Sequence, residues 1–456
     1  MNPLDNNVAP YAVYLCVAVF IYLAWRHPAG LCFSTATIRG IAWVEVGGVN
    51  YARLLVGMQA IAFCLLFWRT LTGPGQKRLL HFFSTRYSAP LWVLAVLWLK
   101  VIADIVVGGS NEFAREALKL SLSQVIFPTA FVLLSLACYG VTQSIRGYIW
   151  GMLLFSAAFL LPTVIPIWQE QRIQESLFGG TRLIIYGLDT ISSGHYFMLG
   201  ALGLLGVIML ESRRQIVTQL GWAGVGALTM LLYLNGTRQL LLALVLAGFM
   251  CLYTYFRNKS GLAVLIIGFL AISSYVLWDY LRQAEVRERF TAEAVAHEIE
   301  SSRGEIWKEA MRYSLAHPIT GSGFKRYGEI TSRYNENTGS VESQLDGAHG
   351  FYQDIFAEHG LILGGVALIA FVYCILVIVR QINPAGRLDL WVFGVFYLAL
   401  VPTYVFSGAL ADTPGPYLLS AGMLGFYLVH HETMPMWAMG WGLAKQPRRR
   451  AAPTGQ

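Results

Sequence analysis

Long apolar runs separated by short polar loops dominate the 456-residue chain. A helix needs about 20 mainly apolar residues to cross the hydrocarbon core of a bilayer. Segment 31–48 is apolar as well, but it contains Arg39 and Glu45, so we expect a re-entrant or interfacial stretch there. The pattern predicts about 12 transmembrane helices, over residues 9–25, 51–68, 88–107, 121–141, 148–168, 193–210, 218–234, 239–256, 261–279, 357–379, 390–409 and 415–430.

Composition supports a membrane protein over its whole length. Apolar residues make up 56% of the chain and charged residues only 13%, whereas soluble domains carry about 25% charged residues. The shortfall leaves no room for a large soluble domain, so the predicted fold class is an all-α polytopic integral membrane protein. The six cysteines are scattered, mostly within apolar runs, which is typical of packing residues and not of a disulfide set or a metal site.

Basic residues cluster in alternate short loops and in the C-terminal tail. The positive-inside rule places these loops in the cytoplasm, and with them both termini. The same clustering explains the formal charge of +7 without a nucleic-acid partner. The predicted outer segments are 169–192, 235–238, 280–356 and 410–414. The basic residues that define the inner side are Arg69, Lys77, Arg78, Arg86, Arg146, Arg213, Arg214, Arg257, Lys259, Arg380, Arg387, Lys445, Arg448, Arg449 and Arg450.

The polar stretch 280–356 is the one long loop, and it divides the chain. Loops of this length are usually functional or disordered. We expect an N-terminal transmembrane bundle over 1–279, a long loop with short helices on the outer face over 280–356, C-terminal transmembrane helices over 357–431 and a basic cytoplasmic tail over 432–456.

A short helix is predicted inside this loop. Ser302 and Glu305 fit a capping box, and His317-Pro318 ends the helix. The glycines that follow, Gly321 and Gly323, predict flexible loop. The apolar residues expected on one face of the helix are Ile306, Trp307, Ala310, Met311 and Leu315.

His349 is the first candidate for chemistry, because it lies between Gly347-Ala348 and Gly350 where the long loop meets the next helix. Neutral imidazole is the usual general base near pH 7; a histidine that is hydrogen-bonded at a helix end is the alternative. Arg303 stands at the start of the capped helix, where helix dipole and guanidinium both favour an anion. A plain surface arginine is the alternative there.

Two further arginines lie in predicted outer turns. Arg238 follows Asn235-Gly236-Thr237 between two apolar helices, and Arg182 follows Gly179-Gly180-Thr181. A charge so close to hydrocarbon is often functional, although either side chain could simply extend to the interface. Lys100 and Asp104 stand at i, i+4 spacing in an apolar helix and predict an ion pair, with a proton or ion relay as the alternative. His195 and His359 are interpreted as structural.

At these residues the chain resembles the O-antigen ligase and O-antigen polymerase superfamily. The resemblance covers roughly residues 235–365 and rests on three ordered motifs. Gly350 departs from the family pattern, which usually has Asn, Ser or Gln after the histidine. The motifs are Asn235-Gly236-Thr237-Arg238; Ser302-Arg303-Gly304-Glu305-Ile306-Trp307 with His317-Pro318-Ile319-Thr320-Gly321-Ser322-Gly323-Phe324; and His349 with Tyr352 and Glu358-His359-Gly360.

The resemblance implies a metal-independent glycosyltransferase without a cofactor, in the bacterial inner membrane with its site on the periplasmic face. Its donor would be a glycan on undecaprenyl diphosphate, and a ligase would use a lipid A-core sugar hydroxyl as acceptor. By analogy His349 is the base and Arg238 and Arg303 bind the diphosphate, with Arg182 beside them. Acceptor-side or supporting candidates are Tyr352, Gln239 and Lys325.

A single dominant outer loop favours a ligase over a repeat-unit polymerase, which more often has two comparable outer loops. A membrane transporter or lipid flippase is the alternative from another class, and Lys100 with Asp104 is its only support. A purely structural membrane protein would not need several basic residues on one side of the membrane.

Overall fold

The computed structural model describes residues 9–37, 41, 44–84, 89–107, 122–170, 173–175, 181–183, 190–210, 215–235, 237–256, 304–323, 351–381 and 388–407. This part is mostly helical. A 3₁₀ helix covers Pro28–Thr37, a π-helical turn covers Leu122–Ile126, and two short antiparallel hairpins pair β1 (Glu45–Val46) with β2 (Val49–Asn50) and β3 (Ile173–Glu175) with β4 (Thr181–Leu183). The α-helices are α1 (Ala9–Arg26), α2 (Tyr51–Thr72), α3 (Gly75–Ser84), α4 (Ala89–Val107), α5 (Phe127–Tyr139), α6 (Val141–Glu170), α7 (Thr190–Leu210), α8 (Gln215–Asn235), α9 (Arg238–Phe256), α10 (Gly304–Ala316), α11 (Phe351–Gln381) and α12 (Leu388–Ser407).

Helices occupy the predicted spans wherever the structure describes them, and the spans at 261–279 and 415–430 lie outside the described residues. Among the described residues, 4 helices are long and apolar enough to cross a membrane: Tyr51–Thr72, Val141–Pro162, Ser193–Leu210 and Gln353–Ala370. Shorter apolar helices cover Pro10–Arg26, Phe127–Tyr139, Leu240–Cys251 and Leu388–Ala399. The total of about 12 spans stays a prediction from hydropathy.

The 3₁₀ helix runs through the interior of the bundle, with all ten of its residues buried. A 3₁₀ helix rises about 2 Å per residue, so ten residues cover about 20 Å. Gly30, near its start, packs so closely on α6 that a Cβ on Gly151 would overlap the Gly30 backbone. At its other end, the Ala36 carbonyl accepts a hydrogen bond from the Tyr196 hydroxyl of α7. The segment therefore connects two different levels of the bundle.

Polar contacts fix this segment between the neighbouring helices. Ser34 Oγ accepts from Gln59 Nε2 of α2 at 2.7 Å. Thr37 Oγ1 and the Tyr51 hydroxyl, at the start of α2, are hydrogen-bonded at 2.7 Å. Such side-chain hydrogen bonds offset part of the free-energy cost of burying the polar groups of this segment.

The direction of α1 bears on the predicted side of the N-terminus. Arg26, at the end of α1, lines the same cavity as Arg69, near the end of α2, and Arg146, near the start of α6. Cys16, halfway along α1, contacts the side chain of Tyr51 at the start of α2. Thus α1 and α2 run in the same direction, and the chain between them must return across the bundle.

The N-terminal end of α1 consequently lies on the opposite side from Arg69 and Arg146. The prediction that both termini are cytoplasmic counts segment 31–48 as a stretch that does not cross, because that segment carries Arg39 and Glu45. Which side of the membrane each terminus faces stays a prediction. The position of Arg26, the first basic residue of the chain, after the apolar run is a signal for this direction of α1.

Cysteine labelling tests this direction. A cysteine added at the N-terminus and a Lys77→Cys substitution, in the exposed part of α3, should react from opposite sides of the membrane. A membrane-impermeant maleimide added to intact cells should label one and not the other, in a chain whose exposed Cys64 is replaced by Ser. Labelling of both positions from the same side would contradict the direction assigned to α1.

Candidate functional site

A buried polar cluster occupies the first turns of α11. Gln353, Asp354, Glu358 and His359 are all 2% exposed or less, and all four fall in the stretch Gln353–Ala370 that qualifies as a membrane span. Ionisable residues inside a span are costly to bury, and they mark functional sites more often than structural ones. The cluster begins directly after Tyr352, one of the predicted supporting residues.

Some side-chain atoms of this cluster form no hydrogen bond with the residues that the structure describes. Both amide atoms of Gln353 and Nδ1 of His359 are buried without a partner there. An unsatisfied buried polar atom costs roughly 1–3 kcal/mol, so the cluster is stabilised by any polar group that reaches it.

Lys100 connects α4 to this cluster. Its Nζ forms the predicted ion pair with Asp104 at 2.6 Å, which confirms the i, i+4 interpretation. The same Nζ also donates to the backbone carbonyl of Glu358 at 3.2 Å. The contact between the helices could not be predicted from spacing, because it joins residues far apart in the chain.

The carbonyl that Lys100 reaches is available because α11 is interrupted. Gly360 has φ 77° and ψ 169°, outside the helical region. In an unbroken helix the Ile362 N–H would donate to the Glu358 carbonyl, but here it donates to Pro318 at 3.0 Å. The Glu358 carbonyl accepts instead from Lys100 and from Gly323 N–H, the latter at 3.1 Å.

The segment 317–323 fills the interruption, and we call it the strap. Besides the Gly323 bond, Ser322 N–H donates to the Ala357 carbonyl at 2.7 Å. A Cβ on Gly360 would lie 2.6 Å from the Pro318 carbonyl oxygen. The prediction of flexible loop at Gly321 and Gly323 is therefore wrong: both have positive φ and both are buried. Glycine is needed there for close backbone contact and a left-handed conformation.

The predicted short helix is present as α10, and it ends at Ala316 directly before His317-Pro318. It packs against α11. Its buried face differs from the prediction, since Leu315 is 62% exposed while Ser314 is fully buried. The Ser314 hydroxyl donates to the Ala310 carbonyl at 2.6 Å, which removes most of the cost of burying it. Partial burial raises the pKa of the neighbouring Tyr313 hydroxyl.

A second group of elements meets at the turn between α8 and α9. Asn235 ends α8, Arg238 begins α9, and the Thr237 hydroxyl donates to the Asn235 amide oxygen. Gly194, in the first turns of α7, packs on this turn, because a Cβ there would lie 2.8 Å from Asn235 Oδ1. Strand β4, which contains Arg182, contacts α8. The backbone thus brings the elements that carry Arg182 and Arg238 together.

The structure describes only some of the residues that the sequence predicts for the site. His349, Arg303 and Lys325 lie outside the described residues, and Arg182, Arg238, Gln239 and Tyr352 are placed by their backbone alone. Helix α12 packs on both α9 and α11. Convergence of the predicted residues on one pocket stays a prediction.

The comparison with known families now adds to this geometry. Residues 223–369 match the family model described as O-antigen ligase. The match confirms the resemblance to the O-antigen ligase superfamily that the motifs indicate. It covers less than half of the chain, and it includes the turn at Arg238, α10, the strap and the first half of α11. A search of curated proteins gives no match.

Sequence reasoning missed part of the α11 cluster. His359 was interpreted as structural, and Glu358 was noted only as part of a motif. The available signal was the run of Gln353, Asp354 and Glu358 at the start of an otherwise apolar helix. The predicted span began at residue 357, where the apolar stretch starts, whereas the helix begins at Phe351. The polar residues at the start of the helix were therefore assigned to the loop.

The close contact between the strap and Gly360 predicts the effect of a substitution at Gly360. Gly360→Ala should destabilise the protein by about 2 kcal/mol or more, because it adds a Cβ against Pro318 at a positive φ. Gly365→Ala is the matched control, since its nearest contact would be an ordinary 4.0 Å to Phe356. The midpoint of thermal unfolding in detergent measures both. Equal midpoints for the two variants would contradict the role of the strap.

Proposed function

We propose that the protein is an O-antigen ligase of the bacterial inner membrane. It transfers a glycan from undecaprenyl diphosphate to a sugar hydroxyl of lipid A-core on the periplasmic face, without a metal ion. The observation that carries the proposal is the family match over residues 223–369, because this one stretch contains Arg238, Arg303 and His349.

The proposed reaction is a single displacement. His349 accepts the proton of the acceptor hydroxyl, and the hydroxyl oxygen attacks the anomeric carbon of the donor sugar. The bond between that carbon and the diphosphate oxygen breaks, undecaprenyl diphosphate leaves, and the configuration inverts. A neutral histidine is suited to this step near pH 7.

Arg238 and Arg303 bind the diphosphate in this proposal, with Arg182 beside Arg238. Arg238 begins α9, and Arg303 directly precedes α10. Free N–H groups and the helix dipole favour an anion at such positions, and guanidinium adds bidentate donors. Charge placed on the leaving diphosphate in the transition state is stabilised by the same groups.

Hydrogen bonds to the first turns of α11 support the role proposed for His349. The strap and Lys100 fix the start of α11, whose first residue lies two positions after His349. Tyr352, Gln239 and Lys325 are the supporting residues on the acceptor side. Because Lys100 and Asp104 bind each other and the α11 backbone, we assign them a structural role, which removes the main support for a transporter.

Complementation with a histidine variant tests the proposal. The wild-type chain should restore O-antigen on lipid A-core in cells that lack their own ligase. His349→Ala should reduce this transfer by about 10²-fold or more, since general-base catalysis contributes at least that much. His317→Ala is the matched control, because His317 is exposed, its hydrogen bonds to Tyr313 and Gly321 are made by the backbone, and, among the described residues, the only ring contact of its side chain is with Tyr313.

Immunoblots of core-linked glycan, with equal amounts of membrane-inserted protein, give the measurement. Restoration only in cells that lack a repeat-unit polymerase would contradict the ligase assignment. Undiminished transfer by His349→Ala would contradict its role as base.

A further inference from the structure

A cavity of about 820 Å³ lies at the other end of the bundle, where α1 and α2 end and α5 passes into α6. Arg26, Arg69 and Arg146 line it, together with Trp25 and Trp150. Its lining, among the described residues, contains no Asp or Glu. Volumes of 300–1,000 Å³ are typical of small-ligand sites.

The cavity lies far from the proposed transfer site. Arg146 is near the start of α6, whereas the β3–β4 hairpin with Arg182 follows the end of that 30-residue helix. A helix of this length spans about 45 Å. The two arginine groups therefore lie toward opposite faces of the protein, and the cavity cannot be the periplasmic donor site.

Its charges favour a phosphate ligand. Guanidinium groups bind phosphate through paired, charge-assisted hydrogen bonds. The Arg69 guanidinium lies 5.0 Å from the centre of the Tyr139 ring, and this cation–π contact limits its orientations. An anion in the cavity is attracted by all three guanidinium groups that line it.

The rim of the cavity indicates the level of the membrane surface. Trp25 is 84% exposed, and tryptophan side chains concentrate where lipid head groups meet hydrocarbon. The apolar part of the lining includes Leu31 and Leu66, and the neighbouring Leu65 is largely exposed. An anion that carries a hydrocarbon chain would satisfy both the basic and the apolar parts.

We infer that this cavity binds the phosphate group of a membrane lipid, on the face opposite the transfer site. Its ligand is a phosphate ester with a hydrocarbon tail, either an isoprenyl monophosphate or an anionic phospholipid. The inference rests on Arg26, Arg69 and Arg146 and does not depend on the proposed function.

Lipid binding to the purified full-length protein tests the inference. The protein is placed in nanodiscs of phosphatidylcholine, and native mass spectrometry measures the apparent Kd for an isoprenyl phosphate and, separately, for phosphatidylglycerol. At least one should bind in preference to phosphatidylcholine. The double variant Arg69→Gln with Arg146→Gln should weaken that binding about tenfold, as expected for lost charge-assisted bonds.

Arg53→Gln is the matched control, since Arg53 is exposed at the opposite end of α2 and does not line the cavity. It should leave the affinity unchanged. If the double variant does not fold, Arg69→Gln alone, at an exposed side chain, should show part of the loss.

The lipid whose affinity falls more in the double variant is the source of the phosphate group that the cavity binds. Three results would overturn the inference: equal retention of phosphatidylcholine, affinities that neither Arg69→Gln nor the double variant changes, or binding of inorganic phosphate without binding of either lipid.

Discussion

The conformation of Gly360 determines how the C-terminal part of the family domain is built. Its positive φ interrupts α11, and the Ile362 N–H, which would donate to the Glu358 carbonyl in a regular helix, donates to Pro318 instead. The strap donates to the carbonyls of Ala357 and Glu358, and Lys100 donates to that of Glu358. One interruption therefore attaches three separate stretches of chain to each other: α4, the segment after α10, and the start of α11.

This attachment has a consequence for the polar cluster. Gln353, Asp354, Glu358 and His359 precede the interruption. The backbone of the same turns is hydrogen-bonded to the strap through the Ala357 and Glu358 carbonyls, and to Lys100 through the Glu358 carbonyl. For the transferase proposed above such contacts matter, because misplacement by about 1 Å can reduce the rate about 10²-fold.

Hydropathy was sufficient to predict the helices, because their length and apolar character follow from the thickness of the membrane. The short helix α10 followed from its cap and its Pro318 stop. Backbone contacts between distant parts of the chain could not be predicted. Gly321 and Gly323 predict a loop, but their contact with α11 requires the positive φ of Gly360, and the sequence does not show that these residues meet. The buried 3₁₀ helix was missed for a related reason, since residues 28–37 are too few for a spanning α-helix. The predicted side of the N-terminus depends on this segment, because a stretch that crosses the bundle reverses the direction of the helix before it.

Motif recognition identified the stretch that matches the family model, and the structure adds that Arg238 begins α9. The proposal's central claim is that the donor diphosphate binds between Arg238 and Arg303. The most direct measurement is a cryo-electron microscopy structure of the full chain with undecaprenyl diphosphate bound. We expect the diphosphate in hydrogen-bond contact with Arg238 and Arg303, next to His349. A diphosphate bound away from both arginines would contradict the account.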